Sequence, residues 1–279
     1  MGGITLNIEF PDSFKQLVEQ FPCKGPGPFI GIGNPNADIL IVGKEMAIDM
    51  SDGANEFDKK LYATTVEGNI DLWKKNIANE PKIVIPSWFE DNEKGWSRYN
   101  PLYPFYGQIT NKTRTNGGTS TTEKFYQKFI SKLVPEHAED GIVDFHLHAF
   151  TTELSTAVAR KSKDVDPSKR RDSINNREKL WKTPFFRKFP ITILAVGHYP
   201  RENHIDIRKA FDVEFQGPTH VIGDGRNKLF INKHISADGR RLLLHTNQFS
   251  CLQYRCKEYV DNFFDTILKM CQGFNSYQK

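Results

Sequence analysis

Three short apolar runs limit the fold of this chain more than any other feature. Asp38-Ile39-Leu40-Ile41-Val42-Gly43 is entered from the turn Asn34-Pro35-Asn36 and stops at a glycine. Pro190-Ile191-Thr192-Ile193-Leu194-Ala195-Val196-Gly197 repeats the pattern, and Arg241-Leu242-Leu243-Leu244 gives a shorter version. Runs of this length without polar alternation suit strands covered on both faces, as in a parallel sheet. Parallel neighbours need crossover connections, so helices must lie between them.

The rest of the chain supplies such helices. Phe14, Leu17, Val18 and Phe21 recur at helical spacing and predict an opening helix within residues 4–22. Cys23 to Pro28 breaks it. Residues 51–100, with Trp73, Trp88 and Trp96 among charges, suggest an insertion carrying one or two helices. The Gly/Thr/Ser-rich loop at 116–122 leads into a helix with Phe125, Phe129, Ile130 and Leu133 on one face. Residues 142–150 predict a further strand. Residues 228–231 and 241–244 flank the turn Ala237-Asp238-Gly239, as a hairpin or as a final strand beside an edge strand. Tyr259, Phe263, Ile267 and Met270 mark a closing helix. Twenty-one phenylalanines suit a large aromatic core. The expectation is one α/β domain over residues 1–279, a three-layer α/β/α sandwich around a central, mainly parallel four-stranded sheet. Insertions are expected near 50–100 and 156–188.

No apolar stretch reaches the roughly 18 residues a membrane helix needs, and the N-terminus has no basic-then-apolar leader. Cys23, Cys251, Cys256 and Cys271 form no CxxC pair, which suits reduced thiols in a cytoplasmic protein. The net charge of +4 is mild, but residues 160–188 carry eleven Lys/Arg against four Asp/Glu. Such a stripe, with Lys169, Arg170 and Arg171 at its centre, can meet phosphates, or can equally be a solvated surface.

Ligands of open α/β sheets sit outside the carboxyl ends of the strands, so the loops after Val42, Phe150, Val196 and Leu244 are the places to search. Gly31-Ile32-Gly33 precedes its strand and so is no dinucleotide fingerprint. His146-x-His148 lacks a third ligand, so no metal is expected, and no other cofactor. Gly43-Lys44-Glu45-Met46-Ala47 puts a carboxylate at the sheet mouth, where it can activate water or be merely an exposed polar pair with Lys44. Past the last strand, Leu244-His245-Thr246-Asn247-Gln248-Phe249-Ser250 offers a histidine able to stabilise negative charge on a leaving group, or a structural histidine.

These pieces, in this order, resemble the uracil-DNA glycosylase superfamily over roughly residues 25 to 270. Ala37-Asp38-Ile39-Leu40-Ile41-Val42-Gly43-Lys44-Glu45 is similar to its first strand and water-activating loop. Phe150-Thr151-Thr152-Glu153-Leu154 stands where the family's base-reading Asn lies, and Leu244–Ser250 stands for its late His-bearing loop. Glu45 replaces Asp or Asn, Met46 and Thr246 replace prolines, and Glu153 replaces Asn. An ionised Glu only accepts hydrogen bonds, whereas Asn both donates and accepts. The cysteines do not supply an iron–sulfur pattern.

The resemblance implies a DNA-base glycosylase acting on a flipped base. Glu45 would handle water and His245 the departing base. Glu153, with Gly43, Lys44, Asn247 and Ser250, would contact substrate. Phe105 or Tyr106 would stack on the base, Phe249 would act as the wedge, and Lys169, Arg170 and Arg171 would meet DNA phosphates. DNA is the expected partner, with strandedness open, and the chain is expected to be monomeric and away from membranes. The alternatives are a catalytically silent member of the fold that binds nucleic acid or nucleotide, and a small-nucleotide hydrolase or transferase using the loop at 116–122.

Overall fold

The computed structural model describes residues 4–21, 28–85, 100–104, 108–110, 119–134 and 141–277. The N-terminal segment is not one helix: β1 (Ile4–Asn7) precedes α1 (Asp12–Glu19). Pro11 separates them by ending the extended run and opening the helix. The chain continues with β2 (Ile32–Gly33), β3 (Ile39–Gly43), α2 (Glu56–Leu61), a π-helical stretch (Tyr62–Glu67), α3 (Asn69–Ala78) and β4 (Lys82–Ile85). β1 and β4 pair antiparallel as a separate two-stranded sheet. After α4 (Thr121–Leu133), the expected strand at 142–150 is instead the short helix α5 (Phe145–His148) followed by β5 (Ala149–Glu153). Gln127 holds that turn of helix, its side-chain carbonyl accepting from the amides of Asp144 and Phe145 at 2.8 and 2.9 Å.

Next come α6 (Pro167–Trp181), α7 (Pro184–Arg187), β6 (Ile191–Ala195), α8 (Tyr199–Glu202), α9 (Ile207–Phe211), β7 (Glu214–Phe215), β8 (His220–Ile222), β9 (Leu229–Ile235), β10 (Leu242–Thr246) and α10 (Lys257–Tyr277). The main sheet is mixed and has eight strands, twice the four expected. Its order is β2-β5-β3-β6-β10-β9-β7, with β8 also on β9. The four strands read from the sequence lie side by side in its middle and run parallel. The additions are antiparallel: β2 along β5, and β9, β7 and β8 beyond β10. The hairpin around Ala237-Asp238-Gly239 forms as β9 and β10.

Within each central strand, alternate residues enter two different cores. Leu40, Val42, Phe150, Leu194 and Leu243 pack with α1, α3, α6 and α7 on one face. Ile39, Ile41, Ile193, Leu242 and Leu244 pack with α4 and α10 on the other. The continuous apolar character of these runs follows from this double burial. The segment at 156–188 is therefore a cover for one face of the sheet and not a surface insertion, because Ile174, Leu180, Trp181, Phe185 and Phe186 are all buried there. Among the described residues no helix is long and apolar enough to cross a membrane.

Arg177 fastens this cover. Its guanidinium is buried and donates to the Glu153 carbonyl at 2.5 Å, the Thr152 hydroxyl at 2.6 Å and the Phe29 carbonyl. It also lies 5.0 Å from the Trp181 ring centroid. Removing a buried, fully engaged cation strands its acceptors. Arg177→Leu is expected to cost about 3 kcal/mol or more in urea unfolding, whereas Lys179→Leu, exposed on the same helix, is expected to change stability by less than about 0.5 kcal/mol.

Candidate functional site

A cavity of about 610 Å³ opens at the carboxyl ends of β3, β5 and β6, where Gly43, Glu153 and Ala195 reach its wall. Its size suits a small organic ligand. Phe29, Tyr126 and Phe145 supply aromatic surface, and the exposed Tyr254 stands at its edge. The chain direction accounts for the position. From β3 the sheet grows to β5 on one side and to β6 on the other, so the loops after these strands diverge and leave a crevice.

Glu45 lies in the loop after β3, as the sequence suggested, but its carboxylate is tightly held. Oε2 accepts from the Tyr199 hydroxyl at 2.6 Å. Oε1 accepts from the Ser162 hydroxyl and from Arg170 at 3.3 Å. The side chain is only 3% exposed. Burial, and then the bond to Glu45, push the Tyr199 phenol well above its ordinary value, so it stays a donor. Lys44 and Arg170 each lie 5.7 Å from the centroid of that ring.

Glu153 at the end of β5 is the contrasting carboxyl. Its Oε2 is shut away from water with no hydrogen-bond partner among the described residues. Burial pushes its pKa up to about 8, Arg177 pulls against this, and the carboxylates of Glu45 and Glu123 add to the rise. At neutral pH Glu153 therefore holds its proton and presents both a donor and an acceptor. Gly43 makes room for it, since a Cβ at that position would overlap the Glu153 carboxyl. His146 lines the same cavity and is kept neutral, burial lowering its pKa to about 3.

The structure does not bring His245 to Glu45. His245 lines a second cavity, of about 780 Å³, on the β9–β10 side. One ring nitrogen, Nε2, lies 2.7 Å from the Gly197 carbonyl, and Nδ1 lies 3.4 Å from Asn232 Nδ2. Burial lowers its pKa to about 4. The neutral ring thus donates from Nε2 to the carbonyl and accepts at Nδ1, which leaves no proton for a departing base. Asn247 lines this second cavity too, its Oδ1 accepting from the Phe230 amide at 2.7 Å. Lys44, Gln248 and Cys251 line both cavities.

Known proteins add nothing to this geometry. No family model, curated protein or solved structure matches the chain.

Of the residues singled out from the sequence, Gly43, Lys44, Glu45, Glu153 and Ser250 share the first cavity. Phe249 cannot wedge into DNA: it is fully buried, with Tyr126 and Phe264 rings at 5.5 and 5.4 Å. Arg170 is spent on Glu45 and is not free for phosphate, although Lys169 and Arg171 are exposed on α6. Phe105 and Tyr106 lie outside the described residues. Ser120 of the hydroxyl-rich loop caps α4: its Oγ accepts from the Glu123 amide at 3.2 Å and Glu123 accepts from the Ser120 amide at 2.8 Å. A carboxylate already at that helix start disfavours a phosphate there. Among the described residues no group of three His, Cys, Asp or Glu could hold a metal. Tyr199, Ser162, Tyr126 and Tyr254 were not singled out, since nothing local in the sequence marks them as neighbours of the site.

Two outcomes follow. Gly43→Ala is expected to cost about 1–3 kcal/mol through overpacking, and most of that loss should vanish when Glu153→Ala is added, as a double-mutant cycle would register. Glu153 also makes stability depend on pH. From the usual carboxyl range up to about 8 the folded chain keeps a proton that the unfolded chain has released, so stability falls across this window and levels above it. Glu153→Gln removes that fall, and its melting temperature should gain on wild type between about pH 5 and pH 8.

Proposed function

We propose that the cavity at the sheet mouth receives a nucleobase, and that the chain hydrolyses an N-glycosidic bond in the manner of the uracil-DNA glycosylase superfamily that its sequence resembles. The observation that carries the reading is Glu153, a carboxyl held neutral in an aromatic-lined cavity at the place of the family's base-reading Asn. A protonated carboxyl offers a hydroxyl donor beside a carbonyl acceptor, the pair an amide offers, and so fits a base edge with adjacent acceptor and donor, as on uracil or hypoxanthine. Tyr126 or Phe29 provides a stacking face. Parallel strands in the order β5-β3-β6-β10, with helices on both faces, support the same analogy. Glu45 would orient water through the acceptor site that Tyr199, Ser162 and Arg170 leave on Oε2.

A second reading has its own observation. Three donors hold Glu45 and the Gly197 carbonyl occupies the proton of His245, which suits a protein that binds the base without cutting.

Oligonucleotides carrying uracil, hypoxanthine, xanthine or a mismatch, single- and double-stranded, separate the two after alkali treatment. Strand breaks at one lesion, lost in Glu45→Gln, are the expected result. In wild type the activity should fall as pH rises through about 8, and Glu153→Gln should flatten that fall. Lesion binding without breaks would leave the binding reading, and no lesion preference in either assay would remove both.

A further inference from the structure

The second cavity has an electrostatic character that the residue-by-residue sequence does not display. Lys44, Arg201, Arg226, Lys228 and Arg255 line it against a single acidic residue, Glu202. None of the five pairs with a carboxylate among the described residues, whereas Lys15, Lys128, Lys132, Arg170 and Arg241 do. Arg255 donates to the Arg226 carbonyl, which holds the Arg255 guanidinium beside the backbone of Arg226. In the same cavity the exposed His198 stacks on Phe230 at 5.3 Å and 10°. Unpaired cations beside an accessible aromatic stack are the combination that tracks a nucleic-acid strand: the cations meet phosphates and the ring meets a base.

We propose that this groove, and not the basic helix at 167–181, binds the sugar–phosphate backbone of a nucleic-acid strand. The strand continues past Lys44, Gln248 and Cys251, which border both cavities, so that one nucleotide can place its base in the neighbouring cavity. That last step rests on the proposed base-binding role, whereas backbone binding by the groove does not.

The test uses the full chain and a fluorescein-labelled oligodeoxynucleotide without any lesion, single-stranded and as a duplex, read by anisotropy over a salt series. Wild type is expected to bind one or both forms with affinity that falls as salt rises. Arg226→Glu with Lys228→Glu should weaken binding at least about tenfold, and the neutral pair Arg226→Ala with Lys228→Ala should make the salt slope shallower by roughly 0.7 to 0.9 per cation removed. Lys169→Glu with Arg171→Glu should leave both unchanged. All four positions are exposed, and circular dichroism checks folding. Absence of wild-type binding, unaltered affinity and slope in the groove variants, or a loss confined to the helix variant would overturn the proposal. Because the probe carries no lesion, binding here with no excision elsewhere would sink the enzymatic reading alone.

Discussion

The guanidinium of Arg177 ties α6 to the end of β5 and to the approach to β2. It takes the carbonyls of Phe29 and Glu153 and the hydroxyl of Thr152. The Thr152 hydroxyl in turn donates to the Ile30 carbonyl at 2.8 Å, so the approach to β2, the end of β5 and the covering helix share one network. A buried cation is tolerable only when its donors are engaged, and here they are engaged mainly by neutral oxygens. Burial accordingly lowers the Arg177 pKa to about 9, with Glu153 opposing the fall. The same desolvation acts on Glu153 in the opposite sense. Two neighbouring ionisable groups are thus both displaced toward neutrality by the closed end of β5.

Glu45 shows what the other carboxyl does under similar burial but with different neighbours. Its partners are a phenol, a hydroxyl and a guanidinium from α8, the residues before α6, and α6 itself. It therefore anchors the basic segment to the loop after β3 and shapes the cavity wall. Three donors fix Glu45, whereas Glu153, which lines the same cavity, packs its Oε2 against Gly43 without a donor among the described residues. The proposed base recognition accordingly rests on Glu153, and the proposed water-orienting role of Glu45 on its remaining lone pair.

The sheet centre is legible because double burial removes polar alternation from the runs at 38–43, 190–197 and 241–244. The strand at 149–153 was harder to place, since the Gln127 clamp that turns 145–148 into helix comes from a residue far along the chain. The antiparallel additions β2, β7 and β8 are two or three residues long, too short for any periodicity to register. At the site, Glu45 and Glu153 were found through their places after strands. The burial of Phe249 depends on its packing against α4 and α10, and the diversion of His245 on the Gly197 carbonyl after β6; local sequence encodes neither.

Charge gives the sharpest case. Of the visible cluster at 160–188, Arg170 turns onto Glu45 and Arg177 under β5, while eight of its eleven cations stay exposed. The groove beside His245 is assembled from residues as far apart as Lys44 and Arg255. Counting charges along a window detects the first and is blind to the second, although the field at the surface is that of the summed charges as the fold arranges them. The two cavities consequently differ in what they would admit. The one holding Glu45 and Glu153 carries both signs, with Lys44, Arg160 and Lys161 beside Glu45 and Glu123 around an uncharged Glu153 and aromatic rings, while its neighbour across Lys44 is lined mainly by cations and favours an anion. A nucleotide joins a neutral base to a charged phosphate, so the base site proposed for the first cavity and the backbone groove proposed for the second are compatible with one ligand, because Lys44, Gln248 and Cys251 border both.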